Sequence, residues 1–169
     1  MITTQTGATV AACVIAIAIL GIQLRKWWTG GRAWKDLLHT VQGFITGALG
    51  TACAGGLLGW LAGCTRRVAN GVGGKAVTGV TGADSSASIA TGSIGQLSEE
   101  GGAIVFLVAV ILFVTYKAVG KDEKGKLLGA MAAGFILCAT AGVAGALHGL
   151  PELVNSIGLS GRNILERNI

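Results

Sequence analysis

Hydrophobic residues are gathered into long uninterrupted blocks along this chain, and polar residues lie between the blocks. The blocks cover residues 7–24, 41–64, 101–119 and 127–150. Each has the roughly 18 to 25 residues that a helix needs to cross the hydrocarbon core of a bilayer. The pattern therefore predicts an all-α integral membrane protein with four transmembrane helices, in a single membrane domain that spans residues 1–169.

The polar segments differ in composition. Residues 65–100 are rich in Gly, Ser, Thr and Ala and hold no aromatic residue. Such a composition buries little surface, so it predicts a long loop. The link 120–126 is short enough for a tight turn, which predicts an antiparallel hairpin of the third and fourth helices. The tail, 151–169, places Leu153, Ile157 and Ile164 among polar residues and is predicted to be an amphipathic interfacial helix.

Small residues recur at every fourth position of two blocks. They are Gly43, Gly47, Thr51, Gly55, Gly59 and Gly63 in the second block, and Gly134 and Gly142 in the fourth. Residues at this spacing share one helix face, where another backbone can approach closely. We predict that these faces are helix-packing surfaces, either within one subunit or between subunits.

Charge is scarce and unevenly placed. Only 12% of residues are charged, against about a quarter in soluble domains. Eight of the thirteen basic residues lie in two short segments and, with the acids beside them, account for the formal net charge of +5. They are Arg25, Lys26, Arg32, Lys35, Lys117, Lys121, Lys124 and Lys126. By the positive-inside bias both segments are predicted to be cytoplasmic, in a multi-pass protein of the inner or plasma membrane.

Aromatic residues fit the same orientation. Trp27, Trp28 and Trp34 flank the first basic segment, and Trp60 lies near the other end of the glycine-rich block. Trp is enriched at the two membrane–water interfaces. We predict that these four residues anchor the helices at interfacial depth.

No residue pattern indicates a reaction. The four cysteines are dispersed without a Cys-x-x-Cys pair, and His39 and His148 are predicted to lie on opposite sides of the membrane. The glycine-rich segment before Lys75 lacks the spacing of a phosphate-binding loop. Charged residues are absent from the middle of every predicted span, which disfavours a transporter. We therefore predict no catalytic, metal or cofactor site.

Residues 101–169 contain two apolar helices joined by a basic turn, Lys117 to Lys126, with small residues along the second helix. This layout resembles the major pilins of conjugative type IV secretion systems. The resemblance implies a membrane subunit that assembles into a helical filament, which would be extracellular after assembly. It also implies that Lys121, Lys124 and Lys126 face a lumen, where they contact nucleic acid or lipid headgroups.

The implied partners are further copies of the chain, anionic phospholipid, a nucleic-acid cargo and other proteins of the secretion apparatus. The chain departs from the pilin pattern in its two additional apolar helices and its loop of 36 residues. A second interpretation is therefore that the chain is a component of a conjugation or secretion apparatus other than the pilin.

The predicted function is that of a self-assembling membrane subunit of a pore, conduit or pilus-like filament in conjugation or secretion. One alternative is a phage holin, although holins usually have charged, disordered tails, whereas the tail after Leu150 is amphipathic and net neutral. A second alternative is an accessory scaffold that recruits a soluble partner through its short cytoplasmic loops.

The charge distribution predicts that residue 86 and residue 125 lie on opposite sides of the membrane. In a cysteine-free background, Ser86→Cys should react with an impermeant maleimide in intact cells, whereas Gly125→Cys should react only after permeabilisation. Equal labelling of both variants before permeabilisation would overturn the predicted orientation.

Overall fold

The computed structural model describes residues 9–32, 34–53, 55–82 and 89–167. The described chain forms α1 (Val10–Thr29), α2 (Trp34–Ala52), α3 (Gly56–Thr81), α4 (Glu99–Ala118), α5 (Lys121–Leu137), α6 (Ala141–Ala146) and α7 (Gly149–Arg167). The extended structure in these ranges includes an isolated β-bridge between Thr91 and Thr140. The predicted all-α class is confirmed.

Two helices of the described chain, α1 and α4, are long and apolar enough to cross a membrane. A third candidate arises only if α2 and α3 are counted together as one span. The axes of these two helices differ by 102°. The fourth block does not form one long helix, because α5 ends at Leu137 and α6 begins at Ala141. The two or three candidates are fewer than the four transmembrane helices that the hydrophobic blocks predicted.

The predicted continuous helix over 41–64 is wrong, because the chain bends between α2 and α3. Gly56, at the start of α3, has a φ of 72°, which a residue with a side chain rarely adopts. The predicted loop over 65–100 is also wrong as far as Thr81, since α3 continues to that residue. Packing explains the helix, because Ala62, Ala69 and Gly73 are buried along one face of α3.

The rest of the predicted loop that the structure describes, residues 89–98, is non-helical and covers the break between α5 and α6. Buried backbone groups need hydrogen-bond partners when a helix is interrupted. Gly92 N donates to Ala139 O at 2.9 Å, and Ala141 N donates to Ala90 O at 2.9 Å. Ile94 is fully buried in the same place. This segment is therefore part of the core.

Helix α5 lies at the centre of the packing, with α2 along one side and α1 along another. The predicted hairpin is wrong, because α4 and α5 make no extended contact, and α2 packs against both. Val119 and Gly120 are both extended, with ψ of 159° and 171°, so the link displaces α5 from α4 instead of reversing the chain tightly.

The tail is helical, as predicted, and packs against the beginning of α4. Asn155 Oδ1 accepts from Ser98 N at 3.0 Å, and Asn155 Nδ2 donates to Gln96 O at 3.3 Å. Ser98 Oγ in turn accepts from Gly101 N at 3.1 Å and caps α4. A Cβ on Gly158 would lie 2.7 Å from Glu100 O, so the two backbones are in contact here.

An exposed ion-pair cluster extends this contact. Arg162 Nε lies 2.7 Å from Glu166 Oε1 within α7. Arg162 Nη1 lies 3.0 Å from Glu100 Oε1 of α4. The hydrogen bond to Glu166, and next the one to Glu100, raise the pKa of Arg162. An arginine guanidinium is always charged in proteins, so this contact with α4 depends on the Glu100 carboxylate being ionised.

Replacing Asn155 by Ala should loosen α7, because Ser98 N and Gln96 O would both lose a partner. We expect the free energy of unfolding to fall by about 1 to 3 kcal/mol, measured by thermal unfolding in detergent, with faster protease cleavage in the tail. Asn163→Ala is the matched control, since Asn163 lies on the same helix and is exposed. Equal losses for both variants would contradict the assigned contact.

Candidate functional site

Three of the predicted packing glycines form a seam between α2 and α5, here called the α2–α5 seam (Gly43, Gly47 and Gly134). A Cβ on Gly47 would collide with the Met131 carbonyl oxygen and lie 3.1 Å from Gly134 Cα. A Cβ on Gly43 would collide with the carbonyl oxygen of Leu127. The backbones of α2 and α5 are thus in direct contact, and the ascending register shows that the two helices run parallel.

The seam ends where α2 ends. A Cβ would have no atom within 4 Å if it were added to Gly55, Gly63 or Gly142. Gly55 immediately precedes α3, and Gly59 and Gly63 lie in α3, beyond the end of α2. The predicted single stripe along one helix is therefore wrong, because the bend turns its second half away from α5.

Sequence reasoning missed one member of the contact. Gly50 is buried, and a Cβ there would collide with the ring of Phe135. Gly50 follows Gly47 by three positions, which is the other spacing that places residues on one helix face. A search at both spacings would have found it.

The two basic segments meet at one end of the bundle. Gln23 Nε2 of α1 donates to Lys126 O of α5 at 3.1 Å, and Gln42 Nε2 of α2 donates to Thr115 Oγ1 of α4 at 3.4 Å. These bonds join the end of α1 to the beginning of α5, and the beginning of α2 to the end of α4. We call this region the basic end; its cations include Lys26, Arg32, Lys117, Lys121, Lys124 and Lys126.

Aromatic rings lie beside several of these cations. The Arg32 guanidinium carbon lies 3.9 Å from the centre of the Trp28 ring, and Lys124 Nζ lies 5.2 Å from that of Tyr116. The rings of Trp27 and Trp28 pack edge to face with their centroids 6.1 Å apart, and Trp34 is 75% exposed. Cation–π contacts of this kind position a charge without neutralising it, so the basic end keeps its positive potential.

A groove of about 440 Å³ lies between α1 and α5 at the basic end. Its lining residues are Ile19, Ile22, Gln23, Lys26, Asp122, Gly125 and Lys126. Gly129 lets α1 approach closely beneath it, since a Cβ there would lie 2.9 Å from Gln23 Nε2. Gln23 Oε1 is buried with no hydrogen-bond partner, as is His39 Nδ1 at the beginning of α2.

Helix α3 carries two arginines in its middle. Both lie outside the predicted spans, from whose middles charge is absent, and they are helical because α3 continues past residue 64. Arg66 is only 9% exposed, and its Nε donates to Ala62 O at 3.3 Å. Arg67 is exposed. Trp60, one of the predicted anchors, is exposed in the first turns of the same helix.

The chemistry of the described residues is that of packing and charge. Among the described residues, no three His, Cys, Asp or Glu side chains come together as a metal site. All four cysteines are free thiols. A comparison with protein-family models, curated proteins and solved structures finds no match to this chain.

Substituting Leu for Gly47 should separate α2 from α5, because the added side chain has no space against the α5 backbone. We expect a loss of about 2 kcal/mol or more in the free energy of unfolding, measured by denaturant titration in detergent micelles. Gly71→Leu is the control, because a Cβ at Gly71 meets no atom within 4 Å. If both variants are as stable as the parent, the seam does not stabilise the fold.

Proposed function

We propose that this protein is a self-assembling integral membrane subunit of a conduit or pilus-like filament in conjugation or secretion. Membrane placement is supported by α1 and α4, in which only 22% and 11% of the most apolar stretch is buried within the chain. Their remaining surface carries large exposed apolar side chains, Val14, Ile17, Phe106 and Phe113 among them. A bilayer or neighbouring subunits would cover this surface.

The observation that carries self-assembly is the unused small-residue face of α3. Gly63 has open space where a side chain would stand, as does Gly55 just before α3, and Leu57 and Trp60 are 73% and 60% exposed. Within the chain, the same spacing of glycines forms the α2–α5 seam. In lipid, helices associate mainly through such close packing, so the open face is suited to a helix of a neighbouring subunit.

The setting in conjugation or secretion rests on the resemblance of residues 101–169 to conjugative pilins. The separation of α4 from α5 differs from the hairpin on which that resemblance depends, so we propose a component of the apparatus other than the major pilin. In the assembled conduit the basic end, with Lys121, Lys124 and Lys126, would contact nucleic-acid cargo or anionic headgroups. The inner or plasma membrane is the proposed location.

Sizing of the full chain in mild detergent, followed by electron microscopy, tests the proposal. We expect the parent protein to form rings or filaments, and Gly63→Leu to form smaller particles with an unchanged unfolding midpoint, since only an intersubunit contact is lost. Gly102→Leu is the control, because Gly102 is exposed on α4 with no atom near its Cβ position. A parent protein that is monomeric in detergent and after cross-linking in membranes would rule out self-assembly.

A further inference from the structure

We propose that Arg67 of α3 forms an ion pair with Glu152 of α7 in a second copy of this chain, so that copies join head to tail. This inference rests on the proposed self-assembly and deepens it. It names the surface of the neighbouring subunit that covers the open face of α3, which is the first half of α7.

Arg67 is an exposed cation whose contacts in its own chain are uncharged. Its helix, α3, carries three basic residues and no acidic one. Arg67 Nε donates to Gly63 O at 3.4 Å, and Nη2 donates to Cys64 Sγ at 3.9 Å. Among the residues that the structure describes, no carboxylate forms an ion pair with Arg67. The guanidinium charge is therefore positioned by α3 but not neutralised there.

Glu152 is an exposed acid in the first turn of α7. The arginine of α7 that forms ion pairs, Arg162, binds Glu100 and Glu166. In the described part of the chain, no cation forms an ion pair with Glu152 itself. Its carboxylate and the Arg67 guanidinium are thus opposite charges, and each is available to a second copy.

The two charges lie at the same height on the bundle, which the last turn of α5 defines. Ala69 follows Arg67 by two positions and belongs to one buried cluster with Ala133 and Ile136 of α5. The α3 cation is therefore level with residues 133–136.

Glu152 reaches this level from the other side. Val154 follows it by two positions and shares a buried cluster with Leu49 of α2. A Cβ on Gly50, the next residue of α2, would collide with the Phe135 ring of α5. Since Phe135 lies within the same turn of α5, the acid of α7 and the cation of α3 are at matching heights.

This height lies well inside the apolar part of the molecule. Val105 of α4 belongs to the same buried cluster as Val154. At 1.5 Å per residue, Val105 lies about 9 Å from the beginning of α4. With α4 across the membrane, an exposed charge at this depth faces lipid, which is costly unless an opposite charge covers it.

The two charges lie on different sides of the molecule. Helix α3 packs against α1, α2 and α5, whereas α7 packs against α4 and, to a smaller extent, α2. Copies that are inserted in one orientation lie at the same depth. The Arg67 side of one copy therefore meets the Glu152 side of the next copy at matching height.

Both faces are shaped for a close approach of helices. Gly63 and Gly71 lie one turn before and one turn after the arginine, and a Cβ on either would have no atom within 4 Å. Ser156 lies one turn after the acid and is exposed. Its hydroxyl donates to Leu153 O at 2.8 Å, so it needs no further partner in an apolar contact. Small residues of this kind let the backbones of neighbouring helices pack closely in lipid.

The pairing makes the contact between copies heterologous, because each copy uses one face for one neighbour and a different face for the other. Repeated contacts of this type close into a ring when the rotation between copies allows it, and otherwise continue as a filament. Both outcomes fit the proposed conduit or filament.

Charge reversal tests the pairing with the full chain in mild detergent. Arg67→Glu alone and Glu152→Arg alone should each give smaller particles, because like charges then meet at the contact. We expect the concentration for half-maximal assembly to rise about a hundredfold or more in each. An equal mixture of the two variants should regain the size of the parent assembly, since alternating copies place opposite charges at every contact.

Three results would overturn the proposal. Either single variant could assemble as the parent does. The mixture could stay as small as its components although both variants keep the unfolding midpoint of the parent. The mixture could also stop at a dimer, which would exclude the head-to-tail arrangement.

The controls make the same charge changes elsewhere. Asp122→Arg reverses an exposed acid in the first turn of α5, which is the position that Glu152 has in α7. Arg167→Glu reverses an exposed cation in the last turn of α7. Both should assemble as the parent does. Losses equal to those of Arg67→Glu and Glu152→Arg would show that net charge controls assembly, and the specific pair would be wrong.

Cross-linking tests the contact without changing either charge. In a cysteine-free background, copies with Ser156→Cys should form a disulfide in oxidised membranes with copies that carry Gly63→Cys or Gly71→Cys. Gly161→Cys replaces Ser156→Cys in the control, because residue 161 follows Glu152 by nine positions and faces the opposite side of α7. Absence of cross-links from Ser156→Cys, or equal cross-linking from Gly161→Cys, would contradict the proposed contact.

Failure of the pairing and failure of the proposed function give different results. If the parent protein is monomeric in detergent and after cross-linking in membranes, self-assembly is wrong and the pairing is wrong with it. If the parent assembles, and Arg67→Glu and Glu152→Arg assemble equally well, only the pairing is wrong.

Discussion

The direct contact of the α2 and α5 backbones is the interaction on which the rest of this structure depends. Where Gly47 and Gly134 meet, no side chain separates the two helices. Dispersion contacts between closely packed atoms are individually weak but add up along a whole seam. With α2 fixed on α5, α1 covers a second side of α5 and α4 packs on α2. A bulky residue in the seam would displace every one of these neighbours.

The breaks between helices are stabilised by backbone hydrogen bonds, as the helices are. Every buried backbone N–H and C=O group needs a hydrogen-bond partner. The break after α5 is hydrogen-bonded to residues 89–98 in both directions, since Gly92 N donates to Ala139 O and Ala141 N donates to Ala90 O. The segment looks like a flexible connection in the sequence, yet its Ile94 is fully buried. Its polar, small residues leave the backbone accessible for pairing.

The sequence predicted the helical class and the glycines of the seam, because each of these depends on local spacing or composition. It did not predict the bend before α3, because Gly55 fits the fourfold stripe and hides the left-handed turn at Gly56, the next residue. It also missed the helix over residues 65–81, since composition alone cannot show that Ala69 and Gly73 would find a partner in α1. The groove was equally invisible, because Lys26 and Lys126 lie a hundred positions apart in the chain and only the folded chain places them together.

The parallel pairing of α2 with α5 has a consequence for synthesis. Helix α2 ends at Ala52, and α5 is complete only at Leu137. At the usual speed of translation the ribosome needs roughly 4 to 17 s to add the intervening residues. During that interval the glycine face of α2 has no partner within its own chain. A nascent chain beside another copy can therefore exchange partners before its own α5 emerges, so the rate of synthesis and the local density of ribosomes become determinants of correct folding.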